Sequence, residues 1–151
     1  MDSKNVTLND LLPIIKEKLA ENGSVLFTTN GTSMKPLLDD GKDQVELVKV
    51  DGPLKRNDIP LFSRQDGTFV LHRIVKVLKD NNYLVRGDNQ IINEKINHQQ
   101  IIGKVCKIVK NNQEIDFSSK KYKRYLFSLH FKYPFRYIYH KIAKIFRQKG
   151  K

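Results

Sequence analysis

Between Val25 and Phe117 turn signals recur so often that the chain can form little but short strands. Val45–Val50, Ile59–Phe62, Thr68–Leu78, Tyr83–Arg86 and Ile101–Val109 are β-prone runs. Asp51-Gly52-Pro53, Asp66-Gly67, Asp80-Asn81-Asn82 and Asn111-Asn112 separate them, with the residue types that accept tight-turn backbone geometry. The pattern predicts a β-domain over 25–117, with a hairpin of Thr68–Leu78 and Tyr83–Arg86 around Asp80-Asn81-Asn82.

Before this region, Leu8, Leu11, Leu12, Ile15 and Leu19 recur at helical spacing, predicting an amphipathic helix over 8–21. Thr7 and Asp10 are its expected capping pair, Pro13 is tolerated there if it lies in the first turn, and Gly23 ends it. No apolar signal-peptide core and no run of about 20 apolar residues occurs, so neither a cleavable leader nor a spanning helix is expected. The single cysteine, Cys106, lies in an apolar run and is expected to be an inert core residue. No Cys/His spacing suggests a metal, and no cofactor is expected.

The chain carries 28 Lys and Arg against 16 Asp and Glu, but the excess is local. Eleven of the cations follow Asp116 with no acid among them, leaving 17 cations against 16 acids in 1–119. Nine of the fourteen aromatics fall between Tyr122 and Phe146. This predicts a separate basic tail over 118–151, built of two amphipathic helices jointed at Pro134. Tyr122, Tyr125, Leu126, Leu129 and Tyr133 share one face, and Phe135, Ile138, Tyr139, Ile142, Ile145 and Phe146 another. Such a tail could pack on the domain or follow nucleic-acid phosphates, but no recognition motif accompanies it, and nucleic acid is not the expected partner. An anionic membrane surface fits the composition best, with Arg124, Lys132, Arg136, Lys141, Lys144 and Arg147 meeting headgroups while rings enter the interface. The expected location is peripheral, on the cytoplasmic face.

Gly31-Thr32-Ser33-Met34-Lys35-Pro36 sets a hydroxyl in a glycine-started turn after the run Val25–Thr29. Leu71-His72-Arg73-Ile74-Val75 places an imidazole inside an apolar run, where it needs partners. Arg86-Gly87-Asp88-Asn89 ends the hairpin with a carboxylate that can return towards His72, and Glu94 is a second acid nearby.

The ordered set Gly-x-Ser-Met-x-Pro, His-Arg-Ile-Val and Arg-Gly-Asp-Asn resembles the type I signal peptidase superfamily, which includes the self-cleaving SOS and phage repressors. The likeness covers about residues 23–117. It implies a mainly β fold of the signal-peptidase/LexA-like kind and a serine endopeptidase that removes a leader or signal segment from a peptide or preprotein. By this resemblance Ser33 is the nucleophile and His72 the base, as in the endoplasmic-reticulum and archaeal branch, where histidine replaces the lysine of other members. Neutral imidazole suits that exchange of protons near pH 7. Asp88 is the implied orienting acid, with Glu94, where the branch has a second aspartate, as the alternate. The oxyanion site would be the Ser33 backbone N–H helped by Thr32.

The sequence departs from the family pattern at several points. Gly31 stands where a serine commonly donates to the oxyanion, the following Gly-Asp pairs appear as Gly41-Lys42-Asp43 and Asn57-Asp58, and the N-terminal anchor has no counterpart. These departures motivate an alternative, a non-catalytic peptide-binding or regulatory module retaining the fold. A self-cleaving repressor relative is disfavoured by His72 and by the short segment before residue 23.

Overall fold

The computed structural model describes residues 8–149. By contact density the chain divides into Met1–Glu114 and Ile115–Lys151. In the first unit, helix α1 (Leu8–Ala20) precedes nine strands: β1 (Ser24–Thr28), β2 (Gln44–Val48), β3 (Pro60–Ser63), β4 (Phe69–Leu71), β5 (Arg73–Val77), β6 (Asn82–Arg86), β7 (Glu94–Asn97), β8 (Ile101–Lys110) and β9 (Gln113–Glu114). The expected helix is present with Pro13 inside it, and it buries Ile15 and Leu19. Thr7, the expected cap, lies outside the described residues.

The strands form two antiparallel sheets, one ordered β1-β2-β8-β3-β4 with β9 on β8, the other β5-β6-β7. The four-residue connection from β5 to β6 and the two-residue connection from β8 to β9 each turn on left-handed asparagine or aspartate. Asp80 and Asn81 (φ 57° and 54°) link β5 to β6, and Asn111 and Asn112 (φ 52° and 59°) link β8 to β9. Positive φ at both central residues is the type I′ geometry whose twist matches that of paired strands. A core of Leu54, Phe62, Ile74, Tyr83, Val85 and Ile96 draws on both sheets.

Four expectations are corrected. The fold is mixed rather than mainly β, with 31% strand and 31% helix, because the tail supplies 30 helical residues against 13 in α1. The run Thr68–Leu78 is two strands, not one: β4 joins the larger sheet and β5 the smaller, and His72 is the residue between them. Cys106 is exposed. It is the extra residue of a bulge, since Glu46 pairs with Lys107 and Leu47 with Val105, and an extra residue shifts the in-and-out alternation of side chains. Partial burial and the neighbouring Glu46 charge raise its thiol pKa, so it is not an activated thiolate.

The fourth correction concerns the tail. One helix, α2 (Lys120–Lys149), runs through Pro134 without a joint. Proline already has a helical φ and sacrifices one backbone bond, which the turns on either side hold together here. Asp116 and Ser119 start the helix: the Ser118 N–H donates to Asp116 Oδ1 at 2.8 Å, and the Tyr122 N–H donates to Ser119 Oγ at 3.1 Å. With one helix in place of two, Phe127 and Phe131 align with Phe135, Ile138, Ile142, Ile145 and Phe146 as a single stripe, each of them exposed. Rings of Phe127, Phe131 and Phe135 meet in series along it, at 5.9 and 5.7 Å between centroids. No described helix is long and apolar enough to cross a membrane.

Candidate active site

Ser33 opens a turn in the connection from β1 to β2, and that connection is fastened at three points. At its neck, the Thr29 N–H donates to the Asp43 carbonyl at 3.0 Å and the Gly41 N–H to the Thr29 carbonyl at 2.8 Å. Further along, Lys110 reaches in from β8. Its Nζ donates to the Pro36 carbonyl at 2.9 Å, to Asp39 at 2.8 Å and to the buried Asp43 at 3.2 Å. Met34, Leu37 and Leu38 anchor the turn in the core. Gly31 has φ +103°, a conformation that a serine would hold only under strain.

The third fastening is the turn after β6. The Asn89 N–H donates to the Ser33 carbonyl at 2.8 Å, and Asn89 Nδ2 to the Thr32 carbonyl at 3.2 Å. A Cβ on Gly87 would lie 2.5 Å from the Ser33 oxygen, so glycine there is what permits the approach. The structure thus brings Ser33 against the Gly87–Asn89 turn. The Ser33 N–H donates to none of the described residues, as an oxyanion donor requires.

Asp88 lies in this turn, but its carboxylate is held by Arg73. Arg73 Nε donates to Oδ1 at 2.8 Å and Nη2 to Oδ2 at 2.7 Å, with both side chains fully buried. Arg73 Nη1 also donates to the Asn57 carbonyl at 3.1 Å. One guanidinium therefore ties β5 to two turns, including the one under Ser33. Glu94 is likewise engaged elsewhere, accepting from Arg64 Nε at 2.8 and 3.2 Å.

His72 is buried, 2% exposed, with its ring edge-on to Phe62 at 5.9 Å between centroids. Its Nδ1 has no hydrogen-bond partner among the described residues, so neither Asp88 nor Glu94 takes the orienting position on that nitrogen. Burial, and after it the charge of Arg64, lower its pKa to about 4, with Asp88 pulling weakly the other way. At neutral pH the ring is uncharged and able to accept a proton.

Ser33 borders a cleft of about 350 Å³ whose walls include Phe27 and Thr28 of β1, the following Thr29 to Gly31, and all of β4. β1 and β4 are the two ends of the larger sheet, so that sheet curls until both edges face one hollow. Two bulges on β8, at Ile102 and Cys106, supply local bending. Arg64 lines the same cleft, and Leu71, the neighbour of His72, is part of its wall. Thr32 does not border it. A larger hollow of about 660 Å³, bordered by Lys16, Lys49 and Gln99, contains neither Ser33 nor His72.

Arg64 and Lys110 were not legible as site residues. Lys110 sits at a strand end and Arg64 at the start of an Asp-Gly turn, and no spacing distinguishes them from surface cations. A search against protein-family models finds no match, and a search of curated proteins finds none either.

Proposed function

We propose that the chain is a serine endopeptidase of the signal-peptidase kind, with that family's β-fold in residues 1–117, and that it cuts an extended peptide laid in the cleft between β1 and β4. The observation that carries this reading is Ser33 at the border of a cleft of mixed polar and apolar lining, flanked by two strand edges that pair with no other strand among the described residues. Strand edges offer unpaired N–H and C=O groups to an added strand, and Phe27, Leu61, Phe69 and Leu71 in the walls can take its apolar side chains. Ser33 attacks the scissile carbonyl, neutral His72 accepts the hydroxyl proton and returns it to the leaving amine, and the Ser33 N–H receives the oxyanion. The acids act by building the site rather than by bonding the imidazole. Asp88 holds the turn under Ser33 through Arg73, and Glu94 holds Arg64.

A fluorophosphonate probe is expected to label the wild-type protein at Ser33, read by peptide mass spectrometry, and to leave Ser33→Ala unlabelled. Cleavage of leader-type peptides should fall by at least about 10³-fold in the same variant. Absence of both labelling and cleavage in the wild type would refute catalysis. It would leave the second reading, a non-catalytic peptide-binding or regulatory module, favoured by a His72 Nδ1 that has no hydrogen-bond partner among the described residues.

The tail is read as a membrane-surface helix. The aromatic stripe would enter the headgroup boundary, while Lys132, Arg136, Lys141, Lys144 and Arg147 lie around the rest of the helix, facing anionic lipid. Liposome sedimentation should show binding that needs anionic lipid, weakens as salt shortens the screening length, and disappears on truncation after Phe117. Equal binding to neutral vesicles would argue against the electrostatic share.

A further inference from the structure

We infer that Arg64 is a specificity-determining residue of the cleft and selects a peptide that brings a carboxylate to it. The inference rests on the peptide-binding part of the proposed function and not on catalysis. Arg64 is the one charged side chain among the described residues lining the cleft, beside Ser33, Leu61, Phe69 and Leu71. Its guanidinium is committed on one side only: Nε serves both oxygens of Glu94, and Nη1 and Nη2 make no hydrogen bond among the described residues. A fixed fork with one edge free is the shape that a carboxylate meets with two parallel bonds.

The penalty for a wrong ligand points the same way. A neutral side chain laid over Arg64 would cover the free donors without pairing them, and a cationic one would add repulsion. A carboxylate replaces water on both donors with charge-assisted bonds. The carboxylate has two possible sources, an Asp or Glu side chain near the bond to be cut or the free C-terminus of a short peptide.

Fluorescence anisotropy with full-length Ser33→Ala measures this without requiring turnover. The probes are extended, amidated fluorescent peptides carrying Glu or Gln at successive positions, and a Gln-only peptide with a free or amidated C-terminus. A side-chain source predicts that one Glu peptide binds about 10- to 100-fold more tightly than its Gln twin, and a terminal source predicts that advantage for the free C-terminus. In either case Arg64→Gln should shrink the ratio to within about 3-fold, Arg64→Lys should keep part of it, and Glu94→Gln should enlarge it by releasing the guanidinium. Equal affinities, no binding by any peptide, or an advantage that survives Arg64→Gln would overturn the inference. Failure of the peptidase reading appears separately, as a wild-type Ser33 that takes up no fluorophosphonate.

Discussion

Asp88→Ala is expected to lose about 3–5 kcal/mol of stability, the penalty for leaving a buried guanidinium without its counter-charge. Arg73 is fully buried and its two bonds to Asp88 are 2.8 and 2.7 Å. Chemical denaturation would read the loss as a fall in midpoint with little change in slope. The double variant Arg73→Met/Asp88→Leu should recover most of it, because apolar residues of similar bulk carry no desolvation penalty. A catalytic acid acting on His72 makes a different prediction: Asp88→Ala would lose rate while keeping its midpoint, and the apolar pair would rescue nothing. Because Asp88 sits beneath Ser33 in the Gly87–Asn89 turn, activity and stability should fall together.

The second large effect is in acid. The native pKa of His72 is about 4 against an ordinary 6.5. Between those values the unfolded chain takes up a proton that the native chain refuses. Stability from this group is therefore complete above about pH 6.5 and is lost as pH falls towards 4, amounting to roughly 3 kcal/mol. Urea unfolding of wild type and His72→Leu from pH 4 to 8 isolates the contribution, since the carboxylates titrate in both. The two stability curves should run parallel above pH 6.5, and below it the wild type should fall relative to the variant by that amount. Curves parallel throughout would mean that His72 is not held neutral by burial. The same displacement keeps the imidazole available as a proton acceptor across the neutral range, although so weak a base gives modest driving force.

Much of this architecture was legible because it is local. Turn residues mark strand ends by their own backbone preferences, so Asp80-Asn81 and Asn111-Asn112 fell where the chain reverses between paired strands. The helical spacing of Ile15 and Leu19 likewise gave α1. The hairpin returns Asp88 to within one residue of His72, at Arg73. Arg73 pairs with Arg86 across β5 and β6, which returns Asp88 to the start of β5. Whether the carboxylate met His72 or Arg73 depended on which side chain faced it, and the break between β4 and β5 decided that. Periodicity cannot see such a break, because both strands are apolar and run on in sequence. The bulge at Cys106 was hidden for the same reason, since register belongs to the pair of strands and not to either one.

By itself the sequence determined the alternation of short strands and turns, the single N-terminal helix, the confinement of net positive charge to the tail, and the set of polar groups from which a site could be made. Tertiary structure alone decided their pairing. It gave Asp88 to Arg73 and Glu94 to Arg64, left His72 buried with Nδ1 unpartnered among the described residues, and curled one sheet until its two edges faced the cleft beside Ser33. The physical reason is that turns and helices follow from preferences of neighbouring residues, whereas a buried ion pair is chosen by which charges the packed chain shuts away from water together.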